Sequence, residues 1–199
     1  MGVVHLVRHG DHDEVGRVLS GRSTIALNAE GRAQAAALAS WVAGEGVTSI
    51  HASPRLRAAE TAAPIAERLA LPVVEAPALD EIDFGTFTGR SFAELAGDPD
   101  WQQWNALRDA ARCPGGETMG EAVARARVYL WSLAADRQPA LCVTHCDIIR
   151  GLAADLLGTG FDRMFMLDCD PGSITTLMLE PGAARLVALN LRVRRPAPA

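Results

Sequence analysis

The sequence predicts an α/β domain, and three observations carry that prediction. A short β-branched run, Val3-Val4-His5-Leu6-Val7, gives way abruptly to Arg8-His9-Gly10. A second apolar run, Ala140-Leu141-Cys142-Val143-Thr144, breaks in the same manner at His145. Around them, further short strand-like runs alternate with Ala-rich stretches of helical spacing. Apolar runs of this length closed by polar turns read as buried strands, and open α/β sheets bind ligands at the carboxyl ends of such strands. At the first of these ends Arg8 offers a planar fork of donors suited to phosphate. His9 offers a nucleophile near neutral pH, and Gly10 a backbone free to approach a ligand closely.

In chain order, Asp11-His12-Asp13-Glu14 opens a polar stretch without periodicity that runs to Thr24 and reads as a loop over the strand end. A helix is introduced at Leu27-Asn28-Ala29-Glu30-Gly31 and carries Leu38, Trp41 and Val42 on one apolar stripe. Ser49-Ile50-His51-Ala52 is a second strand. It ends at Ser53-Pro54, suited to the entry of a helix running toward Leu69, and this sets Arg57 in that helix's first turn. Pro72-Val73-Val74-Glu75 reads as an edge strand leading to an acidic loop, residues 79–85. Residues 92–112 read as helical but broken near Gly97-Asp98-Pro99. Trp101 and Trp104 share a face there, read as core packing before substrate stacking. A turn at 113–118, a helix over 119–135, the strand 140–144 and a helix over 148–157 follow. Strands over 173–180 and 184–191, joined by a turn at Pro181-Gly182, complete one domain of residues 1–191. Residues 192–199 are expected to form a solvated tail.

Composition excludes as much as it suggests. A chain of 199 residues without a composition break is long enough for one core. The net charge of −5 provides no general attraction for nucleic acid or an anionic membrane. All 19 basic residues are Arg. Without Lys there is no Walker A loop, no Schiff-base lysine and no kinase strand lysine, so Arg must bind any phosphate. Cys113, Cys142, Cys146 and Cys169 form no CxxC pair, which fits a reducing compartment. Too few apolar residues precede Arg8 for a secretory segment, and no run approaches a membrane span, so the expected location is the cytoplasm.

Arg8-His9-Gly10, Ser53-Pro54 with Arg57, Glu60 and Thr61-Ala62, the block from Leu79 to Gly89, Gly115-Gly116-Glu117, Val143-Thr144-His145 with Arg150, and Ser173-Ile174-Thr175 occur in this order. Together they resemble the motif series of the histidine phosphatase superfamily, the phosphoglycerate mutase-like family with its RHG signature. The resemblance implies a three-layer αβα domain with a mostly parallel central sheet. It implies phosphate monoester hydrolysis through a phosphohistidine, without metal or cofactor, on a small-molecule phosphate ester. It casts His9 as the nucleophile and Glu81 as the acid that protonates the leaving oxygen and then activates water. Arg8, Arg57 and His145 would bind the phosphoryl oxygens, with Gly10, Gly21 and the Cys146 backbone amide adding contacts to substrate or phosphate.

The chain departs from the family at named positions. Asp11-His12-Asp13 follows the RHG triplet, and Val15 falls near the position where the family often carries a phosphate-contacting Asn. Cys146 and Asp147 follow the second histidine where Gly is common, and Phe87-Thr88-Gly89 replaces Trp-Glu-Gly. A metal site at His9, Asp11, His12 and Asp13 lacks the first His of the HxHxDH pattern. Zinc at Cys142, His145 and Cys146 lacks a second ligand pair. The Asp168-Cys169-Asp170 triplet lies too late for a haloacid-dehalogenase-like fold. His5, His12 and His51 are read as structural or surface residues. Two alternatives to hydrolysis stay open, a phosphoglycerate mutase and a non-catalytic phospho-ligand binding module. Selectivity is expected between Phe84 and Cys113, where Trp101, Trp104, Arg108 and Arg112 are candidates for the pocket wall. Oligomeric state is open, a homodimer included.

Overall fold

The computed structural model describes residues 1–180 and 182–193. Strands β1 (Gly2–Arg8), β2 (Ser49–Ala52), β3 (Val73–Glu75), β4 (Ala140–Thr144), β5 (Ile174–Glu180) and β6 (Ala183–Leu191) form one sheet of order β3-β2-β4-β1-β5-β6. The first four in that order run parallel, whereas β5 pairs antiparallel with β1 and β6 antiparallel with β5. The parallel part is the expected βαβ architecture. The antiparallel pair follows from the short connection between β5 and β6, which leaves no length for a crossover helix.

The helices are α1 (Ala29–Trp41), α2 (Leu56–Leu69), α3 (Phe92–Ala96), α4 (Pro99–Ala106), α5 (Met119–Ala134) and α6 (Cys146–Leu157). Side chains alternate along β1 and β4 to feed two cores. Val4, Leu6 and Cys142 pack with Met119, Val123, Ile149 and Leu152 of α5 and α6 on one face. Val7, Leu141 and Val143 pack with Leu38, Ala58 and Ile65 of α1 and α2 on the other. Period-two burial from central strands onto helices on both faces is the three-layer arrangement.

Element ends follow local chemistry. Asn28 caps α1 by accepting the Gly31 amide, and Ser91 with Glu94 and Thr118 with Glu121 form capping boxes on α3 and α5. The second half of the expected 92–112 helix is different: α4 ends at Ala106, and Leu107 leaves helical geometry (φ −126°, ψ 42°). The turn that follows sends the Arg108 side chain into the interior, where it is 2% exposed. The helix expected from Ile148 begins at Cys146, because His145 itself stands at the N-cap. Ser53 does not cap α2. Arg55 takes the cap position without a side-chain capping bond, and the Ser53 hydroxyl accepts the Arg55 amide at 3.3 Å while donating to Asp80. Of the expected turn and tail, Pro181 and residues 194–199 lie outside the described residues.

Gly10 and Gly31 let β1's exit loop meet α1. A Cβ on Gly31 would collide with the Asp11 backbone, and one on Gly10 would lie 2.6 Å from the Gly31 carbonyl oxygen. Gly31→Ala is expected to destabilise the fold by about 1–3 kcal/mol through backbone overpacking. Urea unfolding would measure it, and an unchanged midpoint would show that the loop yields freely.

Candidate active site

Three strand ends converge. The His9 amide donates to the Thr144 carbonyl (3.0 Å), and the Ser53 amide to the Val143 carbonyl (2.9 Å), so the residues just past β1 and β2 are tied to the last residues of β4. β1 and β4 are neighbours whose following helices, α1 and α6, pack on opposite faces. That is a switch point of the sheet, where a crevice opens. A cleft of about 320 Å³ lies there, lined by Arg8, His9, Arg57, Glu81 and Cys146 and walled by Phe84, Phe92, Trp101 and Phe165.

His9 is 3% exposed, and its Nδ1 lies 2.8 Å from the Gly10 carbonyl oxygen. A carbonyl only accepts, so Nδ1 carries the proton and Nε2 keeps its lone pair. Burial, then the charges of Arg57 and Arg8, hold the His9 pKa well below the usual histidine value. His145 is fixed in the opposite tautomer by different partners. The Arg57 guanidinium, which can only donate, bonds its Nδ1 at 3.0 Å, and Nε2–H donates to Ser53 Oγ at 2.7 Å. The Ser53 hydroxyl passes on to Asp80 Oδ1 at 3.1 Å, and Arg55 pairs with that carboxylate. Burial and Arg57 keep His145 neutral as well.

The arginines are set before any ligand arrives. Arg57, 1% exposed, donates to the Gly21 and Ser23 carbonyls (2.6 and 3.2 Å) as well as to His145. Arg8 donates to the Cys169 carbonyl at 2.6 Å. Glu81 is buried on the loop after β3, and its Oε1 accepts the Ile82 amide at 3.0 Å. Burial first, then the nearby Asp147 carboxylate, raise its pKa to about 8, so at neutral pH it holds a proton. Its backbone carbonyl is clamped by Arg22 (2.9 Å) and Arg125 (3.0 Å), and Glu117 of the Gly-Gly-Glu turn pairs with both arginines.

Most sequence candidates meet here. Arg8, His9, Gly21, Arg57, Glu81 and Cys146 line the cleft, as do Val15 and Asp147. His145 stands behind them, 5.2 Å from the His9 ring. Gly10 differs: its amide is taken by Thr61 Oγ1 (2.9 Å), and its missing Cβ makes room for α1. Of the four wall candidates, Trp101 and Arg108 line the cleft. Trp104 is buried beneath them against Phe84 and Arg108, and Arg112 turns outward to pair with Glu121. His5 and His51 are structural, bonded to Thr176 and to Tyr129 with Ser49.

His12 is a correction: it is 5% exposed, lines the cleft and stacks on His9 at 5.2 Å. No pattern around it signalled this, since its flanking aspartates resemble any solvated loop. The supporting Ser53, Asp80 and Glu117 fell inside recognised motifs, but nothing in their spacing announced a role. Among the described residues no group of three or more His, Cys, Asp or Glu side chains could hold a metal ion, and no helix is long and apolar enough to cross a membrane.

A sequence profile of the histidine phosphatase superfamily, branch 1, matches residues 4–192. The chain belongs to the histidine phosphatase superfamily. Its relatives include a probable phosphoglycerate mutase GpmB of Yersinia enterocolitica, 35% identical over 78% of this chain and 74% of that protein. A putative phosphoserine phosphatase 2 of Hydrogenobacter thermophilus is 29% identical over 94% of both chains. The chain spans about half of some relatives, such as 48% of a Mycobacterium tuberculosis bifunctional protein at 34% identity. Among solved structures, a mycobacterial glucosyl-3-phosphoglycerate phosphatase superposes with a TM-score of 0.84 at 26% identity, covering 96% of this chain and 99% of that one. That enzyme has also been solved with inorganic phosphate.

Proposed function

We propose that this member of the superfamily hydrolyses a small phosphate monoester through a phosphohistidine on His9. The observation that carries the reading is the pairing in one cleft of a neutral His9 with a free Nε2 and a protonated Glu81. His9 Nε2 attacks phosphorus, the bond to the leaving oxygen breaks, and that oxygen takes the Glu81 proton. The Glu81 carboxylate then accepts a proton from the water that attacks the phosphohistidine, releasing phosphate and restoring both groups. Arg8 and Arg57, already held by backbone carbonyls, stabilise the charge on the nonbridging oxygens without reorganisation, with His145 behind Arg57.

The leaving group would lie against Trp101, Phe92 and Phe165, near Arg108 and Asp147. Arg108 stacks between Trp104 (4.0 Å) and Phe165 (4.2 Å), with Asp147 3.7 Å away. Apolar walls with a few polar groups suit a compact alcohol carrying a polar substituent. Relatives named for phosphoserine and glucosyl-3-phosphoglycerate support that class. All four thiols are free, which supports a reducing, cytoplasmic setting.

The deciding experiment is phosphate release from an aryl phosphate with chelator present, beside acid-labile phosphoenzyme trapped in rapid quench. Turnover with a trapped phosphohistidine is expected. An inert wild type across a broad ester panel would favour a binding module. Because one relative is a probable mutase, 3-phosphoglycerate belongs in the panel. Free phosphate is the expected product, and 2-phosphoglycerate would assign the mutase reading.

A further inference from the structure

We propose that His12 is an additional phosphoryl-oxygen donor, its Nε2–H presented to the cleft beside His9 to take one nonbridging oxygen of the transferring group. The inference rests on the phosphatase reading and adds to it a residue that reading does not require. His12 comes from a stretch whose neighbour Asp13 is exposed, yet its own ring is buried and lies nearly parallel to His9, at 30° and 5.2 Å between centroids. The Glu14 amide donates to His12 Nδ1 at 3.3 Å. An amide N–H cannot accept, so Nδ1 is the bare nitrogen and the proton is fixed on Nε2. That Nε2 has no hydrogen-bond partner among the described residues, and the side chain lines the cleft with Arg8 and Arg57.

Buried donors find acceptors, and one left open toward a cleft calls for an acceptor on the ligand. A ring needed only to pack on His9 would not require its tautomer fixed by a backbone amide. Burial and the Arg57 and Arg8 charges lower its pKa to about 4, so it stays neutral at working pH. It then supplies a hydrogen bond without another full charge and without competing with Glu81 for protons. The chemical class it recognises is a tetrahedral oxyanion, whether bound ester or product phosphate.

Two substitutions separate donor from packing. In His12→Asn the amide oxygen still reaches the Glu14 N–H, but the side chain ends short of Nε2. In His12→Gln an N–H reaches the Nε2 position. The readouts are equilibrium binding of inorganic phosphate and orthovanadate, together with kcat/KM on an aryl phosphate. His12→Asn is expected to weaken oxyanion binding and lower kcat/KM by about tenfold to a hundredfold, as loss of one hydrogen bond to a charged group does. His12→Gln is expected to retain most of both. Wild-type affinity in His12→Asn, or equal losses in the two variants, overturns the assignment while leaving the phosphatase reading intact. A wild type that neither hydrolyses esters nor binds phosphate overturns both.

Discussion

His9→Ala is expected to lower kcat on an aryl phosphate by about 10⁴-fold or more and to eliminate the trapped phosphoenzyme, because the covalent route has one usable nucleophile. Other candidates in the cleft are committed. His12 Nε2 carries a proton while its Nδ1 faces the Glu14 amide. Both nitrogens of His145 are bonded, to Arg57 and to Ser53. The Cys146 thiol is pushed well above its usual pKa by its hydrogen bond with Cys169 and by burial, so it offers no thiolate. The same cleft keeps Arg8 and Arg57 in place, since their anchors, backbone carbonyls and for Arg57 also His145, do not involve His9. Orthovanadate affinity should therefore fall far less than kcat. A His9→Ala enzyme that keeps a large share of wild-type turnover would remove the phosphohistidine from the mechanism.

What the sequence could disclose about this site depended on whether a residue acts through local pattern or through distant partners. β2 and β4 were readable to the residue, because a short apolar run closed by Ser-Pro or His carries its boundary with it. Arg8, His9 and His145 were readable for the same reason, Arg8 as the last residue of β1 and the two histidines as the residues just past β1 and β4. The antiparallel β5 and β6 were visible as strands, but the register that joins β5 to β1 is a tertiary fact. Arg108 and Arg112 look alike in sequence, four residues apart. One is buried between Trp104 and Phe165, and the other is exposed beside Glu121, because α4 ends at Ala106 and the chain turns between them. Ser53 looked like a helix cap, and its use toward His145 and Asp80 depends on partners 92 and 27 residues away. His12 lacked any local signal, since its role comes from a ring stack and an amide bond that exist only once the loop is folded.

In the proposed mechanism Glu81 links catalysis to stability through one proton. Its pKa rises from 4.5 to about 8, with burial the larger cause and Asp147 the next. At pH 7 it is an acid ready to protonate the leaving oxygen, so kcat/KM for alkyl phosphates should fall as pH rises through about 8. Glu81→Gln cannot give or accept that proton, and general acid–base loss lowers kcat on such esters by about 10²–10⁴-fold. On an aryl phosphate, whose leaving oxygen needs little protonation, the first step should survive and the second should not. Phosphoenzyme is then expected to accumulate in a burst.

The sign for folding follows from the same shift. Between about pH 4.5 and 8 the folded protein holds a proton on Glu81 that the unfolded chain has released. Stability from this group is therefore full below the unfolded pKa, falls as pH rises across that window, and levels off above it. Urea unfolding of wild type and Glu81→Gln at pH 5, 7 and 9 would read this directly. The variant should match wild type most closely at pH 5 and gain on it at pH 9. Parallel stability profiles for the two proteins would mean that Glu81 is ionised in the folded state across this range, and a different group would then have to supply the leaving-group proton.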